Sequence, residues 1–158
     1  MDYKKKLVDK IEMFYVDIVE EFKEAELQIM ADSKFTSIFK KKDYDGNIRK
    51  LRLCKKQALA VNTDEKGIPE GDKIAREVVR DFEKCLMLFN NLCDSYIQLQ
   101  LSLKKKAEKE PLKFSEYKEI FNKVQASRAA LNDALHDLDI VYTDYTYDEN
   151  EDPYVFLD

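Results

Sequence analysis

Residues 72–103 read DKIAREVVRDFEKCLMLFNNLCDSYIQLQLSL, and they carry the clearest structural signal of this sequence. Apolar residues recur there at alternating steps of three and four, which places them on one helical face over about eight turns. Between Phe82 and Leu103, further apolar residues widen that face until little of the helix is left for solvent. A helix that is apolar nearly all round is either central among its neighbours or shared with a second chain. We therefore expect a long central helix and self-association.

Glycine and proline divide the rest of the chain. The six residues stand at only four places: Gly46, the stretch from Gly67 to Gly71, Pro111 and Pro153. Because glycine costs roughly 1 kcal/mol and proline roughly 3 kcal/mol inside a helix, such residues mark helix ends. The predicted helices are a long first one from Asp2 to Asp43, a short second one from Ile48 to Val61, a long third one from Pro69 or Asp72 to Pro111, and a fourth from Ser115 to about Asp139.

Polar residues at these borders suggest helix caps. Asp2 and Ser115 suit the N-cap position, and Gly46 suits the C-terminal cap of the first helix. Ser33 can cap a separate short helix, so a kink near Ser33 and a continuous rod both stay open.

The pattern predicts an all-α protein, an antiparallel helical bundle of about four helices with long first and third helices and a short second one. A spectrin-like or other rod-like array is the structural alternative. We assign residues 1–139 to the bundle domain and residues 140–158 to an acidic, tyrosine-rich C-terminal tail.

Composition narrows the class of protein. The net charge of -5 argues against a general nucleic-acid binder. Cys54, Cys85 and Cys93 are odd in number, and the last two lie too far apart on one helix to pair, which indicates reduced thiols and a cytoplasmic location. Polar residues interrupt the most apolar stretch, 85–103, so we expect a soluble protein without a membrane span.

Few residues suggest catalysis. The chain has one histidine, His136, and neither a zinc framework nor a glycine-rich phosphate loop, and no cofactor is predicted. Four carboxylates are the alternative metal set: Glu21 and Glu24 on the first helix, and Glu77 and Asp81 on the third. Facing carboxylates on two helices can hold magnesium. This pattern resembles the all-helical nucleotide pyrophosphatases of the MazG type, although Glu77 and Asp81 are four residues apart and the second motif of that family uses three. The resemblance implies a magnesium-dependent nucleotide hydrolase.

Charge is distributed unevenly along the chain. Between Lys34 and Lys56 nine cations stand against two acids, and from Asp133 to Asp158 there are nine acids and no lysine or arginine. The basic segment is either an anion-binding surface or the solvated side of a short helix. Its candidate contact residues are Lys40, Lys41, Lys42, Arg49 and Arg52.

The favoured function is therefore protein–protein interaction without catalysis, as an adaptor, regulator or assembly component. Nucleic-acid binding through residues 34–56 is an alternative, and the magnesium-dependent hydrolase is a more distant one. The tail combines acids with an apolar end, so we expect it to dock on the basic segment or on a partner, with Tyr154 and Phe156 as contact residues. A frayed chain end is the competing interpretation.

Overall fold

The computed structural model describes residues 2–32 and 42–147, and within these ranges the chain is all-helical, without strands. Four helices pack together around one apolar core. The elements are α1 (Tyr3–Met13), a π-helical segment (Phe14–Val19), α2 (Glu20–Asp32), α3 (Tyr44–Leu59), a 3₁₀ turn (Glu65–Gly67), α4 (Lys73–Ala107) and α5 (Phe114–Thr146). The first three are continuous in the chain and form the first of the four helices.

The long helix predicted from residues 72–103 is confirmed as α4. Asp72 is its N-cap, with a side-chain oxygen that accepts a hydrogen bond from the Ala75 amide at 3.1 Å. Pro69 lies outside the helix, so Asp72 is the correct one of the two predicted starts. The helix ends at Ala107, and Lys109 beyond it has a positive φ of 65°.

The core lies between α4 and its neighbours. Phe14 and Phe22 of the first helix contact Phe89 of α4 edge-on, with ring centroids 5.5 and 5.2 Å apart. Edge-to-face aromatic pairs add to the free energy gained from burial alone. The largest fully buried side chains are Phe14, Phe22, Phe82, Phe89, Leu7, Ile11, Ile18, Leu51, Leu92, Leu131, Leu138 and Gln100.

Polar pairs join α3 to α4. The Lys55 ammonium lies 2.7 Å from a carboxylate oxygen of Asp94, and the Lys104 ammonium lies 2.9 Å from a carboxylate oxygen of Asp45. Between them, the Asn47 side-chain amide donates to the Gln100 carbonyl oxygen at 3.0 Å, and both residues are buried. This bond satisfies polar atoms that would otherwise oppose packing of the two helices.

A second series of contacts joins the first helix to α5. The Lys4 ammonium lies 5.1 Å from the Tyr145 ring centroid, and the Tyr142 hydroxyl donates to Glu12 at 3.3 Å. Further along, Arg128 donates to Glu26 at 2.9 Å. These three pairs link the first helix to the part of α5 between Arg128 and Tyr145.

Three predicted helix borders are wrong. The second helix begins at Tyr44, not at Ile48, so Gly46 is not a C-terminal cap but lies in the first turn of α3, where its amide donates to the Asp43 carboxylate at 2.9 Å. A Cβ at Gly46 would require the Asp43 side chain to move. Ser115 is not an N-cap, because α5 begins at Phe114 and Lys113 takes the cap position without a side-chain bond.

The third error concerns the end of the fourth helix, which continues past Asp139 to Thr146. Tyr145 is buried there, so packing against the first helix extends the helix beyond its regular apolar pattern. The predicted N-cap Asp2 is confirmed. The kink or rod near Ser33 and the tail from residue 148 onward lie outside the described residues.

The apolar face of α4 is mostly covered within the chain. Phe82, Phe89 and Leu92 are fully buried, and Met87 and Leu101 are exposed at 55% and 37%. The original reason for self-association is thereby weakened, and self-association stays a prediction. None of the described helices is both long enough and apolar enough to cross a membrane.

Candidate binding groove

A groove of about 930 Å³ opens at one end of the molecule. It lies between the end of α2, the start of α3, the C-terminal half of α4 and the N-terminal half of α5. The residues that line it are Ile29, Met30, Lys42, Tyr44, Tyr96, Leu99, Gln100, Leu103, Lys106, Leu112, Phe114, Tyr117, Phe121, Val124, Gln125, Arg128, Ala129 and Asn132. This volume lies in the range of protein sites that bind other molecules.

The floor of the groove is apolar, and its rim is exposed. Leu99 of α4 and Val124 of α5 are buried at the floor. Phe114, which is 77% exposed, and Phe121, which is 37% exposed, stand on the α5 side. Large aromatic side chains at a concave surface are typical of binding sites, because they offer contact area at a small entropic cost.

A cluster of three polar side chains closes the inner end of the groove. Glu26 accepts hydrogen bonds from the Tyr96 hydroxyl at 2.7 Å and from Arg128 at 2.9 Å. Burial, together with the bond to Glu26, raises the pKa of Tyr96 well above its ordinary value. Arg128 also lies over the Phe22 ring at 5.8 Å. The cluster holds the first helix, α4 and α5 together where the groove begins.

The groove has an excess of positive charge. Lys42, Lys106 and Arg128 line it, and no aspartate or glutamate does so among the described residues. Since Arg128 is paired with Glu26, the excess comes from Lys42 and Lys106. The chain as a whole has a net charge of -5, so this surface differs in sign from the rest. A cationic rim around an apolar floor favours an apolar ligand that carries negative charge.

The described residues of the predicted basic site do not lie together on one surface. Lys42 lines the groove, whereas Arg49 and Arg52 are exposed elsewhere on α3. Lys40, Lys41, Tyr154 and Phe156 lie outside the described residues. Lys50 and Lys55 of the same segment pair with Glu24 and Asp94, at 3.5 and 2.7 Å. These ion pairs offset part of the positive charge on which nucleic-acid binding would depend.

The four carboxylates of the alternative metal set do not form a metal site. In residues 2–32 and 42–147, no group of three or more histidine, cysteine, aspartate or glutamate side chains is arranged to hold a metal ion. Glu24 pairs with Lys50, and Asp81 lies 3.8 Å from Arg80. Glu21 and Glu77 are exposed. The side-chain placement that the MazG-type resemblance implies is therefore absent.

The thiols and the histidine do not add a reactive site. Cys54, Cys85 and Cys93 are buried and unpaired with one another. Burial raises the pKa of Cys54 to about 11 and that of Cys85 to about 12, so both stay protonated at neutral pH. His136 is exposed on α5.

The groove residues Phe114, Tyr117 and Phe121 belong to the apolar stripe of α5. A helical stripe by itself predicts core positions, so this pattern alone does not predict a groove. A usable signal was present: the stripe is aromatic up to Phe121 and aliphatic from Val124 onward.

Comparison with known proteins found no matching family model, no matching curated protein and no matching solved structure.

Proposed function

We propose that this chain is a helical binding protein whose groove receives an apolar, negatively charged segment of a protein partner. The observation that carries the proposal is the groove itself, with an apolar floor and exposed aromatic residues, and with cations as the charged residues in its described lining. Reactive chemistry has no comparable support on the described residues, since their side chains assemble no metal site and their thiols are buried.

The proposal includes an antiparallel arrangement of the four helices. The order of the contacts between the first helix and α5 supports it. Lys4 pairs with Tyr145, Glu12 with Tyr142, and Glu26 with Arg128. Residue numbers rise along the first helix while those of the contacted residues fall along α5, as in antiparallel helices. The pairs between α3 and α4 run in the same opposed sense. In such a bundle, a gap between neighbouring helices at one end is a natural site for a segment of a partner.

The dimensions suit a short segment. Along α4 the groove runs from Tyr96 to Lys106, which is roughly 15 Å at the rise of an α-helix. An extended partner segment of about four or five residues has that length. Its apolar side chains would contact Leu99, Leu103 and Phe121, while acids at its ends would meet Lys42 and Lys106.

The test is co-purification from the native host with three forms of the chain. Phe114→Glu places a charge on the exposed rim of the groove, and glutamate suits the first turn of a helix, so folding should persist. We expect it to lose a defined set of proteins that the unsubstituted chain retains.

The matched control is Ile140→Glu. It makes the same change from an apolar to a charged side chain, on the same helix but outside the groove. This control should retain the same proteins as the unsubstituted chain. If all three forms recover the same proteins, the groove is not the binding surface and the proposal fails.

A further inference from the structure

We infer that the segment bound in the groove is residues 148–158 of a second copy of this chain. The inference rests on the proposed function, since it names the partner of the same groove. It draws on three independent features: the charge of the groove, the chemistry of residues 148–158, and the distance between the groove and the end of α5.

Residues 148–158 read DENEDPYVFLD and match the groove in chemistry. Four acids precede Pro153, and the four residues after it are apolar or aromatic: Tyr154, Val155, Phe156 and Leu157. Acids can meet Lys42 and Lys106, while the apolar residues cover the exposed faces of Phe114 and Phe121. The exposed apolar residues of the groove and those of the segment would bury each other.

The distance along α5 excludes Phe156 of the same chain from the outer rim of the groove at Phe114. The helix ends at Thr146, and Phe114 lies 32 residues before that end, which is roughly 48 Å at 1.5 Å per residue. From Thr146 to Phe156, ten fully extended residues span at most about 36 Å. Phe156 of the same chain therefore cannot reach Phe114. A second copy has no such limit.

Exchange between two copies closes the assembly. If each copy places residues 148–158 in the groove of the other, both contacts are used and the result is a two-fold symmetric dimer. The two contacts would support each other, because formation of the first makes the second intramolecular.

The experiment is light scattering on the full chain at tens of micromolar. We expect a dimer for the unsubstituted protein and for the Ile140→Glu control. Phe114→Glu, which damages the groove, and Phe156→Asp, which damages the inserted segment, should each give a monomer. A mixture of these two variants should form a heterodimer, because one copy retains the groove and the other retains the segment.

A second measurement uses a fluorescent peptide of residues 144–158 with the Phe156→Asp variant of the full chain. The peptide should bind, and the same peptide with Phe156 replaced by aspartate should bind at least about tenfold more weakly. A monomeric unsubstituted protein that does not bind the peptide overturns the inference. If Phe114→Glu still loses its co-purified proteins in that case, the proposed function stands with a different partner.

One further outcome would also overturn the inference. If the unsubstituted protein is a monomer and Phe114→Glu strongly lowers its thermal unfolding midpoint while Ile140→Glu does not, the groove is covered by its own chain. Equal mass for all variants, whether monomer or dimer, would likewise show that residues 148–158 do not join two copies.

Discussion

At the scale of single residues, Glu26 is the most informative side chain. It accepts hydrogen bonds from Tyr96 and Arg128, and so one carboxylate connects three of the four helices. Tyr96→Phe keeps the ring and removes one bond to this largely buried carboxylate. We expect the free energy of unfolding to fall by about 1–2 kcal/mol, measured by urea denaturation.

A double-mutant cycle provides the control for this prediction. In a Glu26→Ala background the hydroxyl of Tyr96 has already lost its acceptor, so Tyr96→Phe should then cost close to nothing. An equal cost in both backgrounds would mean that the hydroxyl acts through some other contact, and the assigned role of Glu26 would be wrong.

At the scale of elements, the last turn of α5 is part of the core. Tyr145 is buried below the Lys4 ammonium, and its hydroxyl has no hydrogen-bond partner among the described residues. Tyr145→Ala should lower the free energy of unfolding by about 2–4 kcal/mol, because it removes a packed ring. Tyr145→Phe should be neutral or stabilising, since it removes an unsatisfied buried group.

Ile140→Ala is the matched control, because Ile140 lies on the same helix and is 53% exposed. It should change the free energy of unfolding by less than about 1 kcal/mol. If Tyr145→Ala is equally mild in a thermal or urea unfolding experiment, the last turn of α5 does not pack as described.

At the scale of the whole molecule, buried thiols make stability depend on pH. The pKa of Cys54 is raised from 9.0 to about 11, and that of Cys85 from 9.0 to about 12, chiefly by burial. In the unfolded chain these thiols ionise near pH 9, whereas in the folded chain they stay protonated. Their stabilising effect is therefore complete below pH 9 and is lost as the pH rises towards 11 or 12.

The expected result is a decrease in the free energy of unfolding of about 1 kcal/mol per pH unit for each thiol between pH 9 and 11. Urea denaturation under reducing conditions at several pH values measures it. Cys85→Ala should flatten the curve, although it also costs some packing at every pH. A slope that is unchanged by this substitution would exclude Cys85 as a source of the pH dependence.

The sequence alone was sufficient where the signal is local. The three-four spacing from Ile74 to Leu103 and the cap Asp72 depend on neighbours within one or two turns, and α4 forms as these residues predict. The all-α class follows in the same way. By contrast, Gly46 suits either end of a helix, and only the bond to Asp43 decides which end it occupies.

Tertiary structure decided everything that joins distant residues. The groove exists because the N-terminal half of α5 leaves a gap against the end of α2 and the start of α3, which no single helical pattern records. The same holds for the contact of Glu26 with Arg128, 102 positions apart in sequence. A helical repeat specifies which side of one helix is apolar, but the choice of partner depends on how several such sides fit in space.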